Sequence, residues 1–186
     1  MLKNLPLPQV FPSVKDVKRL PPTGPWPSKS GGELIVRFGQ PLTVSGETSG
    51  LNESFFVYPR EELAIIPAEM RGLRFYHVRG IPKHGVGGNE FHRLRHELFF
   101  ATDGALLMDC EDLHGEQEEF RLEPNDYGVW IPPFIMHTVI AREPNSGFLV
   151  VCNTLFEPNN PASHDSYPVE EFNHLRRELV KRLAKM

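Results

Sequence analysis

The 186-residue sequence is poor in cysteine, in net charge and in long apolar runs, and each shortage excludes a class of protein. Its 2 cysteines, Cys110 and Cys152, are too few for a disulfide framework and form no Cys-x-x-Cys zinc motif. The 20 basic and 24 acidic residues give a net charge of −4, which argues against a nucleic-acid binder. Apolar runs such as residues 147–152 are too short to span a bilayer. We therefore expect a cytoplasmic protein with buried free thiols and with neither a membrane nor a nucleic-acid partner.

Proline and glycine, in contrast, are plentiful and divide the chain into three regions. The 18 prolines and 15 glycines disfavour a helical bundle and favour short strands joined by turns. Residues 1–30 contain 7 of the prolines and are predicted to form an extended arm on the surface or on a partner subunit. No apolar core typical of a signal peptide is present there. Residues 31–160 are predicted to form a barrel, and residues 161–186 a helical segment.

Short segments rich in β-forming residues recur at nearly regular spacing through the middle of the chain, which is typical of a sandwich or barrel. The predicted strands are residues 33–38, 53–58, 63–67, 73–80, 97–102, 105–110, 118–122, 128–131, 137–141 and 148–152. Asp103-Gly104 predicts a two-residue hairpin between two of them.

The last segment has a different periodicity. Apolar residues recur on one face at helical spacing, namely Phe172, Leu175, Leu179, Val180 and Leu183. Pro168 suits a first turn, and acidic residues at the start with basic residues at the end complement the helix dipole. One amphipathic closing helix is predicted.

Two stretches concentrate polar residues among the predicted strands. Glu90 and His92 are two residues apart, so in a strand their side chains share one face. Glu97 follows at the start of the next predicted strand, where it can project into the same cavity. The second stretch, residues 127–137, ends in a proline-rigid turn that presents His137. We expect these four side chains to converge in one enclosed cavity.

The pattern Glu90-x-His92-x4-Glu97-x6-Gly104, followed by Pro132-x4-His137, resembles the two motifs of the cupin superfamily. Glu90 occupies the place of the first histidine of the first motif. The resemblance implies an all-β fold, a cupin jelly-roll barrel with a C-terminal α-helix, and a polar cluster inside the barrel.

A narrower resemblance, over residues 71–175, is to the WxcM-like sugar-nucleotide 3,4-ketoisomerases that act on dTDP-4-keto-6-deoxyglucose. It rests on Arg74-Phe75-Tyr76, Asn89-Glu90-Phe91-His92-Arg93 with Glu97, residues 127–137, and Glu170-Glu171-Phe172. The resemblance implies an isomerase of surface-polysaccharide or related biosynthesis, with a nucleotide-sugar substrate and catalytic residues Glu90, His92 and His137. The substrate-binding residues that we expect are Arg74, Tyr76, Arg93, Glu97 and Trp130.

The implied reaction moves a keto group through an enediol, by proton transfer between adjacent sugar carbons. One acid/base residue and one donor to the developing oxyanion suffice, so no cofactor is favoured. A neighbouring group of arginines is available for a nucleotide diphosphate, namely Arg71, Arg74, Arg79, Arg93 and Arg95.

Two other interpretations of the same residues stay open. His92, Glu97 and His137, with Glu90 as a fourth ligand, suit a divalent transition metal in a metal-dependent oxygenase or isomerase. Alternatively, the barrel binds a sugar or another small molecule without catalysis. Whatever the function, an open jelly roll leaves exposed strand edges, and pairing these edges across a two-fold axis would cover them. We therefore expect a homodimer.

Overall fold

The computed structural model describes residues 7–20, 26–27, 33–34, 51–54, 74–124, 126–154, 159 and 164–184. These residues contain mainly β-strands, together with a turn of 3-10 helix at Val14–Asp16 and the helix α1 at Val169–Leu183. The strands, in chain order, are β1 (Lys18–Leu20), β2 (Trp26–Pro27), β3 (Glu33–Leu34), β4 (Leu51–Ser54), β5 (Arg74–Ile81), β6 (Val86–Phe91), β7 (Glu97–Asp103), β8 (Leu106–Glu111), β9 (Gln117–Leu122), β10 (Gly128–Ile131), β11 (Met136–Ala141), β12 (Ser146–Cys152) and β13 (Tyr167–Pro168).

Two antiparallel sheets form the body of the fold. The first has the strand order β1-β10-β7-β12-β5-β4, and the second has the order β13-β6-β11-β8-β9. The short strands β2 and β3 pair with each other. Strands that are adjacent in the sheets are mostly distant in the chain, as the predicted jelly roll requires. The prediction of an all-β jelly-roll barrel with a C-terminal helix is confirmed.

The turn after β7 does not form the hairpin that Asp103-Gly104 predicted. β7 pairs with β10 and β12 in the first sheet, whereas β8 pairs with β11 and β9 in the second. Gly104 has a φ of +60°, and the chain there passes from one sheet to the other beside Ser146. The residues Asp103-Gly104 predict a turn, and a turn is present. Which strands pair with β7 and β8, however, depends on residues that are distant in the chain.

Apolar side chains fill two cores. The interior of the barrel is lined by buried residues from both sheets, including Phe99, Met108, Phe120, Val139, Phe148 and Val150. A second core lies between α1 and the barrel and contains Phe91, Phe134, Met136, Tyr167, Phe172 and Leu175. The predicted helix face is therefore buried at its start, while Val180 and Leu183 near its end are 60% and 54% exposed.

Within the proline-rich start of the chain, part of the described segment 7–20 packs against both cores. Phe11 belongs to the second core, and Val14 and Val17 belong to the core of the barrel. β1 pairs with β10 at the edge of the first sheet, a position that tolerates neighbouring prolines.

Several predictions concern residues that the structure does not describe. The strand predicted at 63–67 lies outside the described residues, and so do 35–38 and 55–58. Of the predicted strand segments 33–38 and 53–58, the described residues 33–34 and 53–54 are in strands. Both cysteines are free and buried, as expected. No helix among the described residues has the length and apolar character needed to cross a membrane.

Phe172 tests how much the packing of α1 contributes to stability. Its side chain is fully buried, with its ring centroid 5.3 Å from that of Phe91. We expect Phe172→Ala to lower the free energy of unfolding by about 3–5 kcal/mol through lost burial and the cavity left behind. Urea denaturation followed by circular dichroism measures this change. Val180→Ala, at an exposed site of the same helix, is the control and should change it by less than about 0.5 kcal/mol. If Phe172→Ala lowered the free energy of unfolding as little as Val180→Ala does, the buried packing of α1 would be contradicted.

Candidate active site

The two sheets place polar residues opposite each other at one end of the barrel. In the second sheet, His137 on β11 lies in register with Glu90 on β6 and with Cys110 on β8. In the first sheet, Glu97 on β7 lies in register with Cys152 on β12. The inward-facing positions farther along these strands are apolar. The polar side chains thus form a layer above an apolar core.

Glu97 is the centre of this layer. Its Oε2 atom lies 3.2 Å from Nε2 of His92 and 3.1 Å from Nε2 of His137. Its Oε1 atom accepts a hydrogen bond of 3.2 Å from the Tyr76 hydroxyl and lies 3.5 Å from Nη1 of Arg95. Glu97, His92 and His137 are 1%, 3% and 2% exposed. Both oxygens of a buried carboxylate therefore have polar partners.

Backbone carbonyls determine which nitrogens of the two histidines carry protons. Nδ1 of His92 contacts the backbone oxygen of Asp165, and Nδ1 of His137 lies 3.1 Å from the backbone oxygen of Ile135. A carbonyl oxygen only accepts hydrogen bonds, so each Nδ1 must be the donor. The Nε2 atoms of both rings are left to face Glu97. The lone pairs of these nitrogens would repel the oxygen of the Glu97 carboxylate at such short distances. A shared proton or a bound cation must therefore lie between the Nε2 atoms and Glu97.

The pKa values of the buried groups follow from this arrangement. Burial alone would raise the pKa of Glu97, but the charge of His92 and the hydrogen bonds from His137 and His92 hold it well below its usual value. Burial alone would lower the pKa of His137, yet its hydrogen bond to Glu97 and the charges of Glu97 and Glu90 raise it. Burial, and then the charge of Glu97, raise the pKa of Tyr76 well above its usual value. The same contacts therefore favour the charged forms of both His137 and Glu97.

Glu90 occupies the more accessible side of the layer. Its Oε1 atom lies 4.0 Å from Nε2 of His92, and its side chain is 32% exposed. Ligand atoms of Glu90, His92 and His137 all lie within 4.8 Å of one another. Of the four residues predicted to converge, Glu90 is therefore the one that a molecule arriving from solvent meets.

Two further predicted binding residues, Arg74 and Tyr76, belong to the same region. The guanidinium of Arg74 lies 4.8 Å from the centroid of the Tyr76 ring, and Arg74 is 2% exposed. Arg74 lies in register with Cys152, which is itself the partner of Glu97 across β7 and β12. The first sheet therefore brings Arg74, Tyr76 and Glu97 together as expected.

Arg93 and Trp130 lie elsewhere. Arg93 pairs with Glu171 of α1, with Nη2 at 2.9 Å from Oε1. Trp130 points to the opposite face of β10 from the core residues Val129 and Ile131, because side chains alternate along a strand. Both residues line an external groove of about 370 Å³ that also contains Lys18 and His96. The register of β10, which sequence spacing could not determine, decides this placement.

Two contributors to the layer were not predicted in their present roles. Arg95, expected among the arginines for a diphosphate, is 3% exposed and pairs with Glu97. Asp165, 1% exposed, accepts hydrogen bonds from the backbone amides of residues 93–95 from a distant part of the chain. Its only sequence signal is an acidic residue just before the closing helix, which does not reveal a contact 70 residues away in sequence.

The family model described as FdtA: WxcM-like, C-terminal matches residues 54–168, more than half of the chain. This range contains the whole polar layer. The chain belongs to the WxcM-like family. A search of curated proteins finds no match.

Solved structures share the fold of this WxcM-like chain at low sequence identity. WlaRA, a TDP-fucose-3,4-ketoisomerase from Campylobacter jejuni, is 14% identical with a TM-score of 0.52, and the match covers 71% of this chain and 99% of that one. A mutant of the 3,4-ketoisomerase QdtA from Thermoanaerobacterium thermosaccharolyticum, in complex with TDP-4-keto-6-deoxyglucose, is 12% identical with a TM-score of 0.51 and coverages of 70% and 96%. The capsular polysaccharide assembling protein CapF from Staphylococcus aureus is 19% identical with a TM-score of 0.51. The match covers 70% of this chain but 35% of CapF, so the chain spans about a third of that protein's length.

The WxcM-like assignment and the jelly-roll fold of these neighbours confirm the resemblance stated from the sequence. WlaRA and QdtA are themselves sugar-nucleotide ketoisomerases, the enzyme type predicted from the sequence.

Glu97→Gln tests the ion pairs at the centre of the layer. Loss of the charge should lower the pKa of His137, measured by NMR titration of its ring protons, because Glu97 is the main group that raises it. Glu90→Gln is the matched control and should lower that pKa less, since the influence of Glu90 is smaller. An unchanged pKa of His137 in Glu97→Gln would contradict the pairing.

The same variant should change how stability depends on pH. The raised pKa of His137 gives stability that is complete below its ordinary value of 6.5 and is lost as the pH rises through the raised value. The lowered pKa of Glu97 gives stability that is complete above 4.5 and is lost as the pH falls through the lowered value. Wild type should therefore exceed Glu97→Gln most between those limits, in urea denaturation at a series of pH values. A constant difference at all pH values would contradict this.

Proposed function

We propose that the protein is a sugar-nucleotide 3,4-ketoisomerase that moves a keto group on a nucleotide-linked 4-keto-6-deoxysugar. The observation that carries the proposal is the convergence of Glu90, His92, Glu97 and His137 at one end of the barrel in a WxcM-like domain. Proton transfer between adjacent carbons needs one group that accepts and returns a proton and one that stabilises an oxyanion. The layer supplies both.

Glu90 is proposed as the group that moves the proton between carbons. Its carboxylate is the accessible one, since the side chain of Glu90 is 32% exposed while that of Glu97 is 1% exposed. Oε1 of Glu90 lies 4.0 Å from Nε2 of His92, near enough for the imidazole to influence where the proton rests. A carboxylate thus takes the place in which related motifs have a histidine.

The proposed reaction conserves the atoms of the sugar. Glu90 takes the proton from carbon 3, the electron pair of that bond forms the carbon–carbon double bond, and the carbonyl oxygen at carbon 4 receives a proton from His92 or His137. The resulting enediol collapses in the opposite sense. Its hydroxyl at carbon 3 returns a proton to imidazole and becomes the ketone, while Glu90 delivers its proton to carbon 4.

A nucleotide-linked substrate is proposed from the neighbours and from the basic groups around the layer. QdtA was solved with TDP-4-keto-6-deoxyglucose, and WlaRA is a TDP-fucose-3,4-ketoisomerase. Arg74 and Tyr76 are proposed to contact the sugar end, while Glu97, predicted to bind substrate, is proposed to orient the two histidines instead. Arg93 and Trp130 are proposed for the nucleotide end, since both line the external groove beside the loop that carries His92.

The homodimer, the cytoplasmic location and the role in surface-polysaccharide synthesis are part of the same proposal. In the described part of the chain, β4 and β9 lie at the ends of the two strand orders. Such edges favour pairing with a second copy. CapF, a capsular polysaccharide assembling protein, has the same fold over part of its length.

The reaction is tested by incubating the protein with dTDP-4-keto-6-deoxyglucose in deuterated water and following the sugar by NMR. We expect deuterium at carbon 3 or 4 and formation of the 3-keto isomer. Glu90→Gln, which keeps the shape but cannot accept the proton, should lower kcat by about 10²–10⁴-fold. Glu119→Gln, an exposed acidic residue on β9, is the matched control and should keep wild-type kcat. No formation of the 3-keto isomer by the wild type would overturn the proposal for this substrate.

A metal-dependent activity is the second candidate, favoured by the donor set itself. Each Nδ1 is held by a backbone carbonyl, which leaves both Nε2 atoms oriented as in metal sites supported by outer hydrogen bonds. His92, His137, Glu97 and Glu90 fit a divalent transition metal and would hold it. When bound, such an ion would polarise a substrate oxygen as a Lewis acid.

Elemental analysis separates the two candidates. If a proton and not a metal ion lies between Glu97 and the two histidines, protein purified without chelator should contain substoichiometric transition metal. Its isomerase activity should then survive dialysis against EDTA. Near-stoichiometric metal, together with activity that EDTA abolishes and added metal restores, would replace the first candidate by the second. The variant Glu97→Gln serves as the control, because it should retain less metal in the second case only.

A further inference from the structure

The carboxylate of Asp165 is buried and holds three consecutive backbone amides. Its Oδ1 atom accepts a hydrogen bond of 2.9 Å from the amide of Arg93. Its Oδ2 atom accepts bonds of 2.8 Å from the amide of Leu94 and 2.7 Å from that of Arg95. These three residues follow His92 directly and lead into Glu97. The loop between two members of the polar layer is thus held from the far end of the chain.

The backbone oxygen of the same residue accepts the hydrogen bond from Nδ1 of His92. Asp165 therefore contacts both the ring of His92 and the three amides after it. The ring contact keeps the proton of the neutral imidazole on Nδ1 and presents Nε2 to Glu97 and Glu90. If the carbonyl moved away, the ring would be free to rotate or to carry its proton on Nε2.

The residues after Asp165 keep it in place. Tyr167 and Pro168 on β13 lie in register with Phe91 and Glu90 on β6. Three residues farther on, Glu171 pairs with Arg93 at 2.9 Å. Residues 165–171 therefore contact the strand that carries Glu90 and the loop that follows His92. This segment, which we call the C-terminal clamp, is attached by both hydrogen bonds and an ion pair.

We propose that Asp165 is a positioning residue for the isomerase reaction, acting through His92. The carboxylate fixes the loop at residues 93–95, and this places the carbonyl of Asp165 against Nδ1 of His92. The proposal rests on the proposed function, since it assigns to Asp165 the orientation of a residue that exchanges protons with the substrate.

Asp112 provides a matched control within the same chain. It is fully buried, and its carboxylate also accepts hydrogen bonds from three backbone amides, those of Val14, His114 and Glu116. It holds the turn between β8 and β9, and no hydrogen bond joins it to His92 among the described residues. Asp112→Asn thus reproduces the loss of a buried aspartate without touching the polar layer.

The test compares Asp165→Asn with Asp112→Asn. A carboxamide has one acceptor oxygen and turns an amino group toward a backbone amide, so Asp165→Asn cannot keep all three bonds. We expect ¹⁵N NMR to show a protonated Nδ1 in His92 of the wild type and of Asp112→Asn, with a shifted signal in Asp165→Asn. In the isomerase assay, Asp165→Asn should lower kcat by about 10–100-fold with KM nearly unchanged. Asp112→Asn should lower stability but leave kcat unchanged.

The outcomes separate this proposal from the proposed function. An unchanged His92 signal in Asp165→Asn, or equal loss of kcat in both variants, would reduce Asp165 to a structural residue and overturn the proposal. Should Asp165→Asn fail to fold, the wild-type spectrum still decides, because an unprotonated Nδ1 in His92 is incompatible with the bond to Asp165. If the wild type has no isomerase activity, the proposed function fails, while the NMR comparison still tests whether Asp165 determines the tautomer of His92.

Discussion

The carboxylate of Glu97, buried inside an apolar barrel, is the constraint on which the rest of the site depends. An ionised carboxylate removed from water is strongly destabilising unless other groups replace its hydration. Here two imidazoles, a tyrosine hydroxyl and the guanidinium of Arg95 do so. These partners come from β5, from β11 and from the loop between β6 and β7. Satisfying one buried charge therefore determines how the two sheets meet at this end of the barrel.

The same requirement explains the division of roles between the two acidic residues of the layer. Glu97 has its oxygens committed to four neighbours, which suits it to orient the histidines and balance their charge. Glu90, at the more exposed side, retains access to a ligand. Two carboxylates of similar chemistry thus acquire different properties from their surroundings, as in other acid/base sites. The C-terminal clamp adds a further restraint, because it contacts the strand that carries Glu90 and the ring of His92.

Much of the site was predictable because its residues lie in short motifs whose spacing reflects strand geometry. Glu90 and His92 are two residues apart, Glu97 begins β7, and His137 follows a proline turn, so their convergence was predictable from local order. The prediction of a hairpin at Asp103-Gly104 was wrong, because β7 pairs with β10 and β12, which are distant in the chain, and not with β8. Trp130 was predicted to bind substrate, but sequence spacing does not reveal which face of β10 points inward, and the structure places its side chain in the external groove.

The sequence alone determined the class of fold and the chemical types available to the site, since alternation, turn residues and motif spacing are local properties. Tertiary structure alone decided which groups hold protons and which face solvent. The Nδ1 partners of both histidines are backbone carbonyls, and backbone atoms carry no sequence signal. Asp165 meets His92 across 73 residues of chain, and only the folded barrel brings such distant groups within hydrogen-bonding distance.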